Sequence, residues 1–146
     1  MIRTDKRIRI CTVLLILNLC FIWGNSLLPG EISGAFSDWV KSILEILLPG
    51  DGITKPGGGL LRKIAHFTEF MGLGIWLFWL FSMLGKHRAF ALLFGTLAAC
   101  MDETIQIFVP DRGPGLRDVC IDIWGVMTGM MLLQIGYYLW RRKQTN

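Results

Sequence analysis

Within the 22 residues from Met101 to Asp122, "MDETIQIFVPDRGPGLRDVCID", fall five acids and two arginines, although the chain around them is strongly apolar. Upstream, "RKIAHFTEF" sets His66 three residues before Glu69, the spacing by which helical bundles present His and Glu ligands to a metal. Together with Asp102, Glu103 and Asp122 these side chains offer either a general acid/base pair or a divalent-cation site, for which His66, Glu69, Asp102 and Glu103 are the expected ligands. Lys63, Gln106, Arg112, Arg117 and Asp118 flank them as candidate substrate contacts. Paired guanidiniums suit the phosphate or carboxylate of an anionic molecule. The competing reading is structural: a membrane histidine commonly bridges helices by hydrogen bonding, and acid–arginine pairs can lock a bundle together.

Such residues need elements to position them. The chain has 146 residues, of which 53% are hydrophobic and 18% charged, too apolar a balance for a water-soluble domain. Four stretches reach the roughly 20 apolar residues that a bilayer crossing requires: 8–28, 64–84, 89–109 and 119–140. The sequence therefore predicts an all-α integral membrane protein, one membrane domain over 1–146. Basic residues precede the first apolar run as in a signal peptide, but no small-x-small cleavage pattern follows it, so it reads as a retained anchor. The four cysteines all fall within predicted spans and form no CxxC motif, which excludes a disulfide framework.

Orientation follows from the basic residues. With the N terminus inside, cytoplasmic segments hold nine bases against the single acid Asp5, and the outer side holds six bases against ten acids. Both termini are expected in the cytoplasm, and the basic balance reports topology rather than nucleic-acid binding. The acidic ends of spans two, three and four then share the outer side. At 100° per residue, His66, Glu69 and Leu73 lie on one helical face with Arg62. Asp102 and Gln106 share a face with Gly95 and Ala99, and Asp118 and Asp122 share one with Gly125 and Gly129. A carboxylate facing lipid would cost roughly 2.5–3.5 kcal/mol, so these acids are expected to converge on a polar pocket inside the bundle.

Three connecting features complete the picture. The segment "FSDWVKSILEILL" repeats apolar residues at helical spacing and predicts an extracytoplasmic amphipathic interfacial helix over 36–48. Gly125 and Gly129 form a GxxxG expected to pack within the chain rather than between copies. In "VPDRGPG", the prolines and glycines fix a short turn that aims Arg112 and Arg117 back over the pocket, with Arg112 expected to meet a ligand and Arg117 to balance the acids.

The blocks "RKIAHFTEFMGLG" and "DETIQIFVPDRGPGLRDVCIDIWGVMTG" together resemble the VanZ-like family of small bacterial membrane proteins. In that family a basic residue precedes His-Phe-x-Glu, and a later helix carries Asp-Glu-x-x-Gln, an Arg-containing turn and Asp-x-x-x-Asp. The chain departs from the pattern at Ile105, where many members have histidine. The family is named for a member associated with resistance to the glycopeptide teicoplanin, so the resemblance implies cell-envelope biology in the bacterial cytoplasmic membrane. The expectation is a protein with an outward-facing pocket that binds, and has the groups to modify, an anionic lipid-linked or peptidoglycan-related molecule among the membrane lipids. The alternatives are a structural or accessory protein whose charges lock the bundle, and an oligomeric proton or ion pathway.

Overall fold

The apolar runs form helices because every backbone polar group in a bilayer must be satisfied within its own segment. The computed structural model describes residues 2–30, 32, 59–113 and 115–145. The interfacial helix expected over 36–48 lies outside the described residues. Four helices result: α1 (Ile2–Ser26), α2 (Gly59–Met83), α3 (Ala89–Ile107) and α4 (Leu116–Thr145). Each is long and apolar enough to cross a membrane. Three of them outrun the expected spans at one end or both, because Lys6 and Arg7 in α1, Arg62 and Lys63 in α2, and Arg141 to Lys143 in α4 are good helix formers that carry the helix past the apolar region.

The C-terminal end of α1 meets the N-terminal end of α2, the C-terminal end of α3 and the N-terminal end of α4. Gln106 reaches Ser26, and His66 lies beside both Asp102 and Asp122. Successive helices are therefore antiparallel, and both ends of the chain lie at the opposite end of the bundle. Large apolar side chains such as Leu17, Phe21, Leu97 and Trp124 point outward, as lipid requires. The core is Ile22, Phe70, Leu73, Leu77, Ala91, Ala98, Ala99 and Val126.

The broadest interface joins α2 and α4, and glycine makes it possible. A Cβ on Gly129 would collide with the Met71 carbonyl oxygen, and one on Gly125 would stand 2.5 Å from that of Phe67. From the other side, a Cβ on Gly74 would strike the Val126 carbonyl. The GxxxG thus brings two backbones together inside one chain. At the far end, α2 stops in a Schellman motif: Gly85, at φ 64°, donates to Ser82, and Lys86 donates to Phe81. That sharp stop returns the chain into α3 after five residues, 84–88.

Candidate functional site

Three helices bring their polar faces to one place. His66 on α2, Asp102, Glu103 and Gln106 on α3, and Asp122 on α4 are all buried, Asp102 and Asp122 completely. They are joined by two residues of α1 that sequence reasoning passed over. Asn25 donates from Nδ2 to Glu69 Oε1 at 3.0 Å, and Ser26 Oγ lies 3.3 Å from Gln106 Nε2. The signal available in the sequence was a polar pair closing an apolar run at the depth where the carboxylates collect.

Gln106 is the hub. Its Nε2 is 2.9 Å from Asp102 Oδ2 and 3.2 Å from Glu103 Oε1, so its two amide protons tie two carboxylates of its own helix together. The other oxygen of Glu103 accepts the backbone N–H of Gly115 at 2.8 Å. This bond pins the turn onto α3 where α4 begins, since the Gly115 carbonyl accepts from Asp118 and Val119 in the first turn of α4. Asp118 sits in that turn, where a carboxylate suits the positive end of the helix.

Arg112 departs from its expected place as a free, mid-turn ligand contact. Its Nη2 donates to the Asn25 carbonyl at 2.8 Å and its Nε to the Leu28 carbonyl at 3.1 Å. The Asn25 carbonyl, in the last turn of α1, also accepts the Leu28 N–H. A guanidinium at the carbonyls that close a helix adds a charged donor and opposes the negative end of the dipole. Burial pushes the Arg112 pKa below its usual value, and nearby Arg62 acts in the same direction. Asp111, beside it, takes the left-handed conformation at φ 58°, which lets the turn fold back toward Gly30, whose N–H donates to Pro110. Arg117 and Lys63 are exposed, outside this network.

His66, Asp102 and Asp122 are arranged differently. His66 Nδ1 lies 3.6 Å from Asp102 Oδ2 and 3.8 Å from Asp122 Oδ1, too long for hydrogen bonds. His66 Nδ1, Asp102 Oδ1 and both oxygens of Asp122 are buried with no hydrogen-bond partner among the described residues. Glu69 Oε2 and Arg112 Nη1 share that condition. A narrow cleft of about 10 Å³, lined by Arg62, Lys63, His66, Glu103, Gln106, Asp118, Ile121 and Asp122, opens at this trio; that is on the order of one water molecule. Of the ten residues singled out from the sequence, seven therefore line this cleft or meet at it through Asp102, whereas Glu69 faces α1, Arg112 caps α1 and Arg117 faces outward.

No curated protein and no solved structure matches the chain. The sequence does match the VanZ/LLP1 family over residues 11–139, a stretch that contains the whole polar cluster and most of every helix. This multi-helix membrane protein belongs to the VanZ/LLP1 family.

Proposed function

We propose that the protein is a bacterial cytoplasmic-membrane protein whose polar cleft opens toward the outer leaflet and binds the anionic headgroup of a lipid-linked or peptidoglycan-related molecule. The observation that carries this reading is the cleft itself: Arg62 and Lys63 flank a narrow opening to buried polar atoms that have no hydrogen-bond partner among the described residues. Buried groups left unsatisfied cost roughly 1–3 kcal/mol each, so their persistence favours a site completed by something that enters. The orientation rests on charge, with nine bases and one acid on the end that carries both termini. Occupying or altering an envelope precursor at that leaflet would connect the protein to glycopeptide resistance. Were the bound molecule altered as well as held, His66, Asp102 and Asp122 are the groups placed to move a proton.

A structural lock is the second reading, and a specific observation favours it for part of the cluster: Glu69, Glu103 and Arg112 each make hydrogen bonds between helices or to the turn. Two measurements test the proposal. Reporter fusions after residue 55 and at the C terminus should report opposite compartments, and the same compartment for both would overturn the orientation. Native mass spectrometry of the full chain should show retention of a short polyprenyl phosphate over a zwitterionic phosphocholine lipid, weakened about tenfold in Lys63→Gln, on the order of one charge-assisted contact. Equal retention of the two lipids would leave the lock as the better reading.

A further inference from the structure

An anion drawn in by Arg62 and Lys63 meets a difficulty at the base of the cleft, because the groups waiting there are themselves acidic. Asp102 and Asp122 are fully buried, and only the neutral or singly charged His66 stands between them. Like charges in a low-dielectric site repel strongly, so neither the empty cluster nor a cluster holding an anion is electrostatically complete. A cation between the carboxylates and the headgroup would offset that charge, as protonation of a carboxylate would, and it alone would also attract the anion. Arg112 does not fill that role, since two of its three guanidinium nitrogens are directed at α1.

We propose that His66 Nδ1, Asp102 Oδ2 and Asp122 Oδ1 form a divalent transition-metal site, with zinc as the preferred ion. The distances support it independently of the charge argument. Separations of 3.6 and 3.8 Å are too long for hydrogen bonds, yet ligand atoms about 2.0–2.1 Å from a shared tetrahedral ion stand roughly 3.4 Å apart. One ligand atom from each residue lies within 4.8 Å of those of the other two, and all three residues are buried. His66 Nδ1 and Asp122 Oδ1 have no hydrogen-bond partner among the described residues and come from two different helices, while Asp102 Oδ2, from a third, is held by Gln106. Three protein ligands with the remaining positions open is the pattern of zinc sites that take a water or a substrate oxygen. One imidazole with two carboxylates is a borderline donor set: too nitrogen-rich and too small for calcium, and without the thiolates that select copper(I).

The hydrogen bond from Gln106 Nε2 to Asp102 Oδ2 becomes outer support in this site, since it fixes the carboxylate that binds the ion. The ligand set differs from the one expected from helical spacing. Asp122 enters, whereas Glu69 turns toward Asn25 and Glu103 toward Gly115 and Gln106. The inference rests on the binding function proposed above and supplies its missing element: the ion would accept an oxygen of the anionic headgroup at the base of the cleft while Arg62 and Lys63 hold the headgroup from its mouth.

The test uses the full chain in phosphatidylcholine nanodiscs, stripped with EDTA and titrated with zinc chloride by calorimetry, with metal content measured after gel filtration. The expected result is one zinc per chain. His66→Ala and Asp122→Asn should each weaken binding by about 100-fold or more, and Gln106→Ala by about 10- to 100-fold. Glu69→Gln should retain wild-type stoichiometry. Absence of saturable zinc uptake by the wild-type chain would overturn the site, as would undiminished uptake by a folded Asp102→Asn/Asp122→Asn double variant. Loss of zinc in Glu69→Gln would overturn this ligand set. The nanodiscs contain no anionic lipid, so the two proposals fail separately. Polyprenyl phosphate retained without zinc uptake rejects the metal and keeps the binding function, whereas zinc uptake without polyprenyl phosphate retention rejects the binding function and keeps the metal.

Discussion

Two parts of one polar cluster follow opposite rules. On the side of α1 and the α3–α4 turn, each charged group has at least one hydrogen-bond partner: Glu103 uses both oxygens, Asn25 holds one oxygen of Glu69, and Arg112 reaches two carbonyls at the end of α1, with Glu69 Oε2 and Arg112 Nη1 left over. On the other side, His66 and Asp122 are more deeply buried than Glu69 and Arg112, and His66 Nδ1 and both Asp122 oxygens have no hydrogen-bond partner among the described residues. Helix-locking alone explains the first part and fails for the second, because a lock gains nothing from donors and acceptors it leaves unmade. The difference teaches that burial of charge in a membrane bundle is not one phenomenon. Paired charges hold helices in register, and unpaired ones are kept available for an ion, a proton or a ligand.

The comparison depends first on the α2–α4 crossing that brings both parts together. Gly129→Leu would drive a side chain into the Met71 backbone, which cannot give way as a flexible side chain would. The expected loss is roughly 3 kcal/mol or more, seen as a collapse in the yield of monodisperse protein. A well-folded variant would show that α2 and α4 are not in close contact. Next, Arg112→Gln removes two charge-assisted bonds, leaving the Leu28 carbonyl without its Arg112 donor and the Asn25 carbonyl with only the Leu28 N–H. A loss of about 1.5–3 kcal/mol is expected in reversible unfolding in detergent.

Asp122→Asn should go the other way. In EDTA, the change removes a buried charge that has no hydrogen bond to lose, so stability should hold or rise by about 1–2 kcal/mol while zinc uptake disappears. Glu103→Ala, by contrast, should cost about 1–2 kcal/mol and release the turn from α3, since both of its oxygens have partners. If the two substitutions shifted stability in the same direction and by the same amount, the division of the cluster into paired and unpaired parts would be lost.

Much of this arrangement was legible in the sequence. Hydropathy located all four spans, and helical periodicity put His66 with Leu73, Asp102 with Gln106 and Ala99, and Asp122 with Gly125 and Gly129 on faces that prove to be buried. Periodicity fixes a face but not what that face meets. Glu69 shares its face with His66, yet the chain positions Asn25 to take it, and no spacing within α2 carries that information. The fate of Arg112 was hidden for the same reason. Its partners are backbone carbonyls 84 and 87 residues away, at a helix end whose approach depends on how the turn folds at Asp111.

The smallest expected effect concerns Arg117, five residues from Arg112 and of the same charge. The sequence suggested that Arg117 balances the acids and Arg112 meets a ligand. Arg117 is exposed in the first turn of α4, where a cation faces the positive end of the helix, and Arg112 is half-buried at the negative end of α1. Replacing Arg117 by Gln should therefore alter stability by no more than about 0.5 kcal/mol, because an exposed charge is screened and loses little. Asp118→Asn removes a carboxylate from a favourable position and should cost about 0.3–1 kcal/mol. If no ion pair joins the two, the double variant should equal the sum of the single changes within about 0.5 kcal/mol, with no rescue. A fall in melting temperature for Arg117→Gln as large as that for Arg112→Gln, restored by Asp118→Asn, would move Arg117 into the lock. Unchanged stability with weaker retention of polyprenyl phosphate would instead make Arg117 the arginine that meets the ligand.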